Sequence, residues 1–141
     1  MLETRFPYDV HEVPSLDILV QARGGSQVQF TGTVDSGADH TVLSREAAEE
    51  LGLDPDSLHE AGNVVIADRS RVSSWTTLVP IRAQVLRRTP SDELLPWGPV
   101  FAIQPVFLEY ASPLWGQSDF FTTFDVAFWR RITPNVFSLA H

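Results

Sequence analysis

The sequence predicts an all-β domain, in the form of a closed or nearly closed β-barrel with one or two short helices. Short runs of alternating polar and apolar residues recur along the chain, turn residues separate these runs, and few segments have helical spacing. The chain has 141 residues, of which 43% are hydrophobic. A chain of this length can bury a sizeable core, so we expect one domain over residues 1–141.

The first third of the chain is predicted to form a β-hairpin. Residues 16–22 and 27–34 both alternate between polar and apolar side chains, and Gly24 and Gly25 lie in the short turn between them. The second strand runs directly into a polar segment that contains a glycine, residues 35–39.

A short helix is predicted next. Ser44 is suited to cap its N-terminus, because a serine hydroxyl accepts a hydrogen bond from a free backbone N–H of the first turn. Ala47, Ala48 and Leu51 share one apolar face, and Gly52 is placed to end the helix.

A second hairpin is predicted in the middle of the chain. Its strands are residues 62–67 and 72–80, its polar tip is residues 68–71, and residues 81–86 continue the sheet. Four prolines follow between residues 89 and 105. Because proline cannot donate to a strand ladder, part of that segment is expected to be loop or sheet edge.

Short elements are predicted in the last third of the chain, around an apolar segment that ends in glycine, residues 114–116. A second short helix is expected to begin at Ser118, as its N-cap, and to end at Phe124. The predicted strands are residues 106–110, 126–129 and 136–139.

The composition excludes several classes of protein. The net charge is −8, every basic residue is arginine, and no segment gathers the basic patch that nucleic acid requires. The absence of cysteine excludes disulfides and thiol nucleophiles. No apolar run approaches the ~20 residues of a membrane span, and residues 1–5 lack the apolar run of a signal peptide. We expect a cytoplasmic protein that binds neither nucleic acid nor membrane.

A carboxylate follows the second predicted strand. Asp35 lies where an apolar strand meets a loop, the Ser36 hydroxyl can bond neighbouring backbone, and Gly37 permits a sharp turn. Catalytic groups commonly lie on loops held by a rigid scaffold. By itself, however, Asp-Ser-Gly is also common turn chemistry.

The wider sequence resembles one family. Residues 30–43, FTGTVDSGADHTVL, resemble the active-site segment of retropepsin-like aspartic proteases, which carry Asp-Thr/Ser-Gly-Ala and then Thr-Val-Leu. The family's second signature is a pair of apolar residues followed by glycine, and residues 114–116 resemble it. The residues that follow are similar to bacterial members in particular. The hairpin at about residues 62–80 lies where the family has its flap. The resemblance covers residues 15–139 and implies a retropepsin-like closed β-barrel, one half of an acid protease.

The resemblance implies an aspartic endopeptidase that hydrolyses peptide bonds in peptide or protein substrates, without a metal or other cofactor. Such enzymes use two carboxylates that share one proton to activate a water. The chain contains a single Asp-Ser/Thr-Gly, since Asp119 and Asp125 are not followed by this pattern. We therefore expect a symmetric homodimer in which each subunit supplies Asp35.

The resemblance also assigns roles to other residues. Asp35 is the expected catalytic group, and residues 135–139 are the expected dimer interface. Support of the active-site loop is expected from Ser36, Gly37, Leu114, Trp115 and Gly116, and substrate binding from Gly37, Ala38, Asp39 and the hairpin tip Asp68, Arg69 and Ser70.

Four positions depart from the family pattern. Ser36 replaces the commoner threonine, Trp115 stands where relatives have a smaller apolar residue, and Gln117 stands where many have arginine. The hairpin tip also lacks glycine. A binding or regulatory module with weak or no activity is therefore the alternative function. A further alternative is a structural β-domain in which Asp-Ser-Gly is only a turn.

Overall fold

Alternating residues form strands along most of the chain in the computed structural model, which describes residues 3–66 and 68–141. Strands predominate in these two ranges, and the only α-helices described there are two short ones, so the all-β class is confirmed. The elements are β1 (Glu3–Pro7), β2 (Ser15–Gln21), β3 (Gln27–Val34), β4 (Val42–Ser44), α1 (Arg45–Glu50), β5 (His59–Val65), β6 (Arg71–Thr76), β7 (Ile81–Arg88), β8 (Leu94–Ile103), β9 (Val106–Leu108), β10 (Leu114–Trp115), α2 (Phe120–Thr123), β11 (Asp125–Trp129) and β12 (Val136–Ala140).

The described strands form two sheets. The smaller has the order β1-β12-β11, and the larger has the order β5-β6-β9-β4-β10-β3-β2-β7-β8. The hairpin strands β5 and β8 lie at opposite ends of the larger sheet, and its closure into a barrel stays a prediction. No helix in the described ranges has both the length and the apolar character to cross a bilayer.

The first hairpin and the first helix are confirmed. β2 and β3 pair antiparallel around a turn in which Gly24 has a φ of +71°. The Ser44 hydroxyl accepts from the Ala47 N–H at 3.1 Å, and Gly52 follows the helix with a φ of +80°. Ala48 and Leu51 are fully buried. The helix directly follows β4, the strand after the Asp35 loop, and its apolar face is buried in the core.

Aromatic side chains join the two sheets. Phe6 of β1 and Phe137 of β12 stack with ring centroids 5.5 Å apart, and the rings of Phe6 and Trp97 of β8 lie nearly perpendicular with centroids 5.4 Å apart. Trp97 in turn lies 5.8 Å from Phe124, just beyond α2. Each such pair contributes about 0.5–1.5 kcal/mol to stability beyond the contribution of the apolar area that it buries. The core of this protein is therefore strongly aromatic.

The proline-rich segment lies at a sheet edge, as expected. β8 contains Pro96 and Pro99 and is the last strand of the larger sheet, the place where proline is tolerated because one side of the strand is unpaired. Gly98 lies between them with a φ of +73°, at the point where the register against β7 shifts. The edge is thus interrupted by two prolines and a bulge, which discourages pairing with another chain.

Several predicted boundaries were wrong, among them that of the strand expected over residues 106–110, which ends at Leu108. The second hairpin begins at His59 and its second strand ends at Thr76, because residues 77–80 turn toward β7. The predicted strand 62–67 ends on Ala67, which lies outside the described residues. The second helix is capped by Asp119, whose carboxylate accepts from the Phe120 N–H at 2.8 Å, and not by Ser118.

The terminal strands also differ from expectation. β1 (Glu3–Pro7) was not predicted, because its short polar pattern carries no strand signal. In the structure β1 pairs with one edge of β12 and β11 pairs with the other. Both edges of β12 are therefore filled within one chain, so residues 135–139 offer no free strand edge to a partner.

Candidate active site

The Asp35 loop begins where three strands converge. β10 lies between β3 and β4, parallel to the first and antiparallel to the second, and its Leu114 is opposite both Thr33 and Val42. Residues 35–41 must therefore loop outward to pass around β10. The Asp35 N–H donates to the Trp115 carbonyl at 3.1 Å, which fixes the start of the loop to β10.

The Asp35 side chain is held by its own turn. Its Oδ1 accepts from the Gly37 N–H at 2.9 Å, and its carbonyl accepts from the Ala38 N–H at 3.2 Å. No other hydrogen bond to this carboxylate occurs within the described residues, and the residue is partly exposed. The carboxylate is thus oriented, while its second oxygen is left for water or a ligand.

The segment after β10 is bonded to the Asp35 loop. The Gln117 N–H donates to the Ala38 carbonyl at 2.9 Å, and the Ser118 N–H donates to the Asp39 carbonyl at 3.0 Å. A Cβ atom on Gly116 would lie 2.3 Å from the His40 carbonyl oxygen, far inside van der Waals contact. Only glycine allows this approach, which explains the glycine of the second sequence signature.

The structure brings most of the predicted loop residues together. Ser36, Gly37, Leu114, Trp115 and Gly116 all contact or adjoin the turn that carries Asp35. Sequence reasoning missed Thr41 and Asp119, which lie behind this turn and hydrogen-bond each other at 2.5 Å. The signal that could have identified Asp119 is its place directly before an apolar pair, where a carboxylate can cap a helix.

A groove of about 520 Å³ separates the β5–β6 hairpin from the body of the protein. Hairpin residues Ala61 and Val64 line one side, and His40 and Ser118 line the other. Since His40 belongs to the Asp35 loop, the groove opens beside that loop. The residues that line it are His40, Ala61, Val64, Ser74, Thr76, Pro80, Ala102, Ile103, Gln104, Val106, Ser118 and Asp119.

The hairpin tip residues Asp68, Arg69 and Ser70 do not line this groove. The Ser70 hydroxyl and then its N–H donate to Asp68 Oδ1 at 2.6 and 2.8 Å, which lowers the pKa of Asp68. Arg69 has a φ of +66°, a conformation that costs a non-glycine residue about 1 kcal/mol. The tip is therefore a tight, locally bonded turn although it lacks glycine.

The comparison with protein families matches residues 20–91 to the model described as aspartyl protease. This match spans more than half of the 141 residues and includes the Asp35 loop. The chain belongs to the aspartyl protease family.

Solved structures of other proteins have a fold similar to that of this aspartyl protease. A retropepsin-like aspartic protease from Rickettsia conorii matches with a TM-score of 0.61 and 18% identity, over 98% of this chain and 89% of that one. The EIAV protease in complex with the inhibitor HBY-793 matches with a TM-score of 0.52 and 12% identity, over 79% of this chain and 88% of that one. The retropepsin-like fold is confirmed. A comparison with curated proteins gave no match.

The packing explains the departure at Trp115. Its indole N–H donates to the Leu16 carbonyl at 3.0 Å, and the residue is 1% exposed. The ring fits because Gly32 faces it, where a Cβ would lie 2.9 Å from the indole nitrogen. In this aspartyl protease a larger residue on β10 is thus accommodated by a missing side chain on β3.

The packing also explains the departure at Gln117. Its side-chain amide donates to the Ser36 carbonyl at 2.8 Å, so this residue still ties the two loops together without a charge. Asp39 is exposed and forms no ion pair within the described residues. Its carboxylate therefore faces solvent beside the aspartyl protease motif.

Proposed function

We propose that this aspartyl protease is an endopeptidase whose active site is completed by a second copy of the chain, each copy supplying Asp35. The observation that supports it most is the geometry of Asp35. The carboxylate is fixed by the Gly37 N–H at the end of a buried strand, yet it is partly exposed. One such carboxylate cannot act as both acid and base, and the chain contains a single motif of this kind.

The proposed chemistry follows from two carboxylates held about 3 Å apart, which cannot both ionise and so share one proton. The ionised carboxylate takes a proton from a water as that water attacks the substrate carbonyl. The protonated carboxyl donates to the carbonyl oxygen, and a proton is then passed to the departing amine. Every step uses only the two Asp35 side chains and water.

An extended peptide is the substrate that suits the surroundings of Asp35. Gly37 is exposed and its carbonyl accepts no hydrogen bond within the described residues, so it is proposed to bind substrate N–H groups. Ala38 would line the site, and the free Asp39 carboxylate would accept from the substrate backbone. The hairpin with its tip Asp68, Arg69 and Ser70 would act as a flap that covers the bound peptide.

The proton requirement predicts how activity depends on pH. The dimer is expected to cleave a denatured protein substrate, with activity that falls toward alkaline pH as the shared proton is lost. A peptide mimic with a hydroxyethylene group should block cleavage, because its hydroxyl takes the place of the attacking water between the carboxylates. A chelator should change nothing. Initial rates measured across pH, with each compound, check this.

Two results would contradict the proposal: activity that is constant from neutral to alkaline pH, or activity that the chelator removes. The alternative of a binding module without activity is favoured by the tip, where the Asp68–Ser70 hydrogen bonds and the left-handed Arg69 restrict movement. That module would bind the mimic by calorimetry but would leave every peptide uncut. The same pair of assays thus separates the two functions.

A further inference from the structure

A buried carboxylate lies behind the Asp35 loop. Asp119 is 8% exposed and forms no ion pair within the described residues. Its Oδ1 accepts from the Thr41 hydroxyl at 2.5 Å and from the Phe120 N–H at 2.8 Å, and its Oδ2 accepts from the Gln104 N–H at 3.2 Å. A buried carboxylate needs such donors in place of the water that it has lost. All the donors here are neutral.

A short chain of hydrogen bonds joins this carboxylate to Asp35. A hydroxyl can donate only one hydrogen bond, and the Thr41 hydroxyl donates it to Asp119. The lone pairs of the Thr41 oxygen are therefore left to accept from the Gly116 N–H at 3.2 Å. Gly116 adjoins Trp115, whose carbonyl accepts from the Asp35 N–H at 3.1 Å. The Asp119 carboxylate thereby fixes the direction of the Thr41 hydroxyl, and the backbone hydrogen bonds of Gly116 and Asp35 continue the chain as far as the Asp35 loop.

The same carboxylate ties three separate segments together. Thr41 belongs to the loop after β3, Asp119 follows β10, and Gln104 lies in the turn between β8 and β9. Gly116 leaves no free space against His40, so a shift of Thr41 must move β10 and the loop together. The position of Asp35 therefore depends on a carboxylate outside the Asp35 loop, which also lines the groove beneath the β5–β6 hairpin.

We propose that Asp119 is a positioning residue, which holds the Asp35 loop in its reactive geometry through the Thr41 hydroxyl. This rests on the proposed function. A carboxylate is essential because asparagine has the same shape but only one acceptor oxygen. Its NH2 group would face either the Gln104 N–H or the Thr41 hydroxyl, so at least one bond is lost or reversed.

The test compares Asp119→Asn and Thr41→Val with the double variant. Each single variant should keep a folded dimer but lower kcat about 10- to 100-fold, because small displacements of a reacting group are costly, while KM changes less than about threefold. The double variant should be no worse than the poorer single variant, since both changes break one chain. Thr41→Ser, which keeps the hydroxyl, should restore most of kcat.

A matched control lies on β3, the strand that leads into the Asp35 loop. Thr31 donates to Asp17 at 2.5 Å, the same type of contact at the protein surface. Thr31→Val removes that bond and should leave kcat and KM at wild-type values. If Asp119→Asn fails to fold, the kcat of Thr41→Val is compared with that of Thr41→Ser instead.

The outcomes separate this proposal from the proposed function. If the wild type cleaves peptides and the variants match its kcat, or change only KM, Asp119 has no positioning role and the endopeptidase stands. If the wild type cleaves nothing, the endopeptidase is wrong, and hydrogen exchange at the Asp35 and Gly116 amides decides the positioning role. Faster exchange in Asp119→Asn and Thr41→Val but not in Thr31→Val supports it, and unchanged exchange overturns it.

Discussion

Replacement of Asp35 by asparagine is expected to abolish peptide cleavage while the protein stays folded and dimeric. The asparagine Oδ1 can still accept from the Gly37 N–H, a bond that measures 2.9 Å in the wild type, so the turn is kept. An amide cannot take a proton from water. We expect kcat to fall by at least about 10³-fold, within the range for loss of general acid–base catalysis. Progress curves and size-exclusion chromatography of the same preparation measure both properties.

Asp54 provides a matched control for this substitution. It is exposed, and its Oδ1 accepts from the Asp56 N–H at 2.9 Å, the same local geometry that Asp35 has with Gly37. Asp54→Asn removes one negative charge from an equivalent turn and should leave kcat unchanged. Undiminished cleavage by Asp35→Asn, or an equal loss in both variants, would show that Asp35 is only a turn residue.

Replacement of Gly116 by alanine is expected to give a large loss of stability. The new Cβ would lie 2.3 Å from the His40 carbonyl oxygen, 2.4 Å from its carbon and 2.9 Å from the Ala38 oxygen. These are backbone atoms, which cannot rotate away, so the loop and β10 must separate. Overpacking commonly costs 1–3 kcal/mol, and we expect about 3 kcal/mol or more here, with loss of activity. Urea unfolding monitored by tryptophan fluorescence measures it.

Gly24 is the control for the alanine substitution. It lies in the β2–β3 turn, at the opposite end of β3 from Asp35, with open space around the site of a Cβ. Its φ of +71° alone should cost Gly24→Ala about 1–2 kcal/mol and leave activity intact. If Gly116→Ala were as stable and as active as Gly24→Ala, the close approach of the two loops would not be needed.

The elements that local chemistry determines were predictable from sequence. The alternation of β2 and β3, the Ser44 cap and the apolar face of α1 each depend on neighbouring residues, and the structure confirms them. The prolines of β8 likewise restrict it to an edge wherever the strand pairs. Local rules therefore predicted both the class of fold and the start of the Asp35 loop.

The features that depend on distant pairing were not predictable. β1 has little pattern of its own and is a strand because β12 pairs with it. Ser118 and Asp119 are both good helix caps, and the choice between them depends on Thr41, 78 residues away. The insertion of β10 between β3 and β4 is equally non-local. The network behind Asp35 therefore emerged only from the fold.

Mixing wild-type subunits with Asp35→Asn subunits tests most directly whether two copies of the chain form one active site. After exchange in equal amounts, about one quarter of the dimers carry two wild-type subunits, so about one quarter of the wild-type activity per dimer is expected to remain. A fixed total concentration and a series of mixing ratios should give activity that follows the square of the wild-type fraction. A decline in simple proportion to that fraction would show that each chain acts alone, and would contradict the shared site.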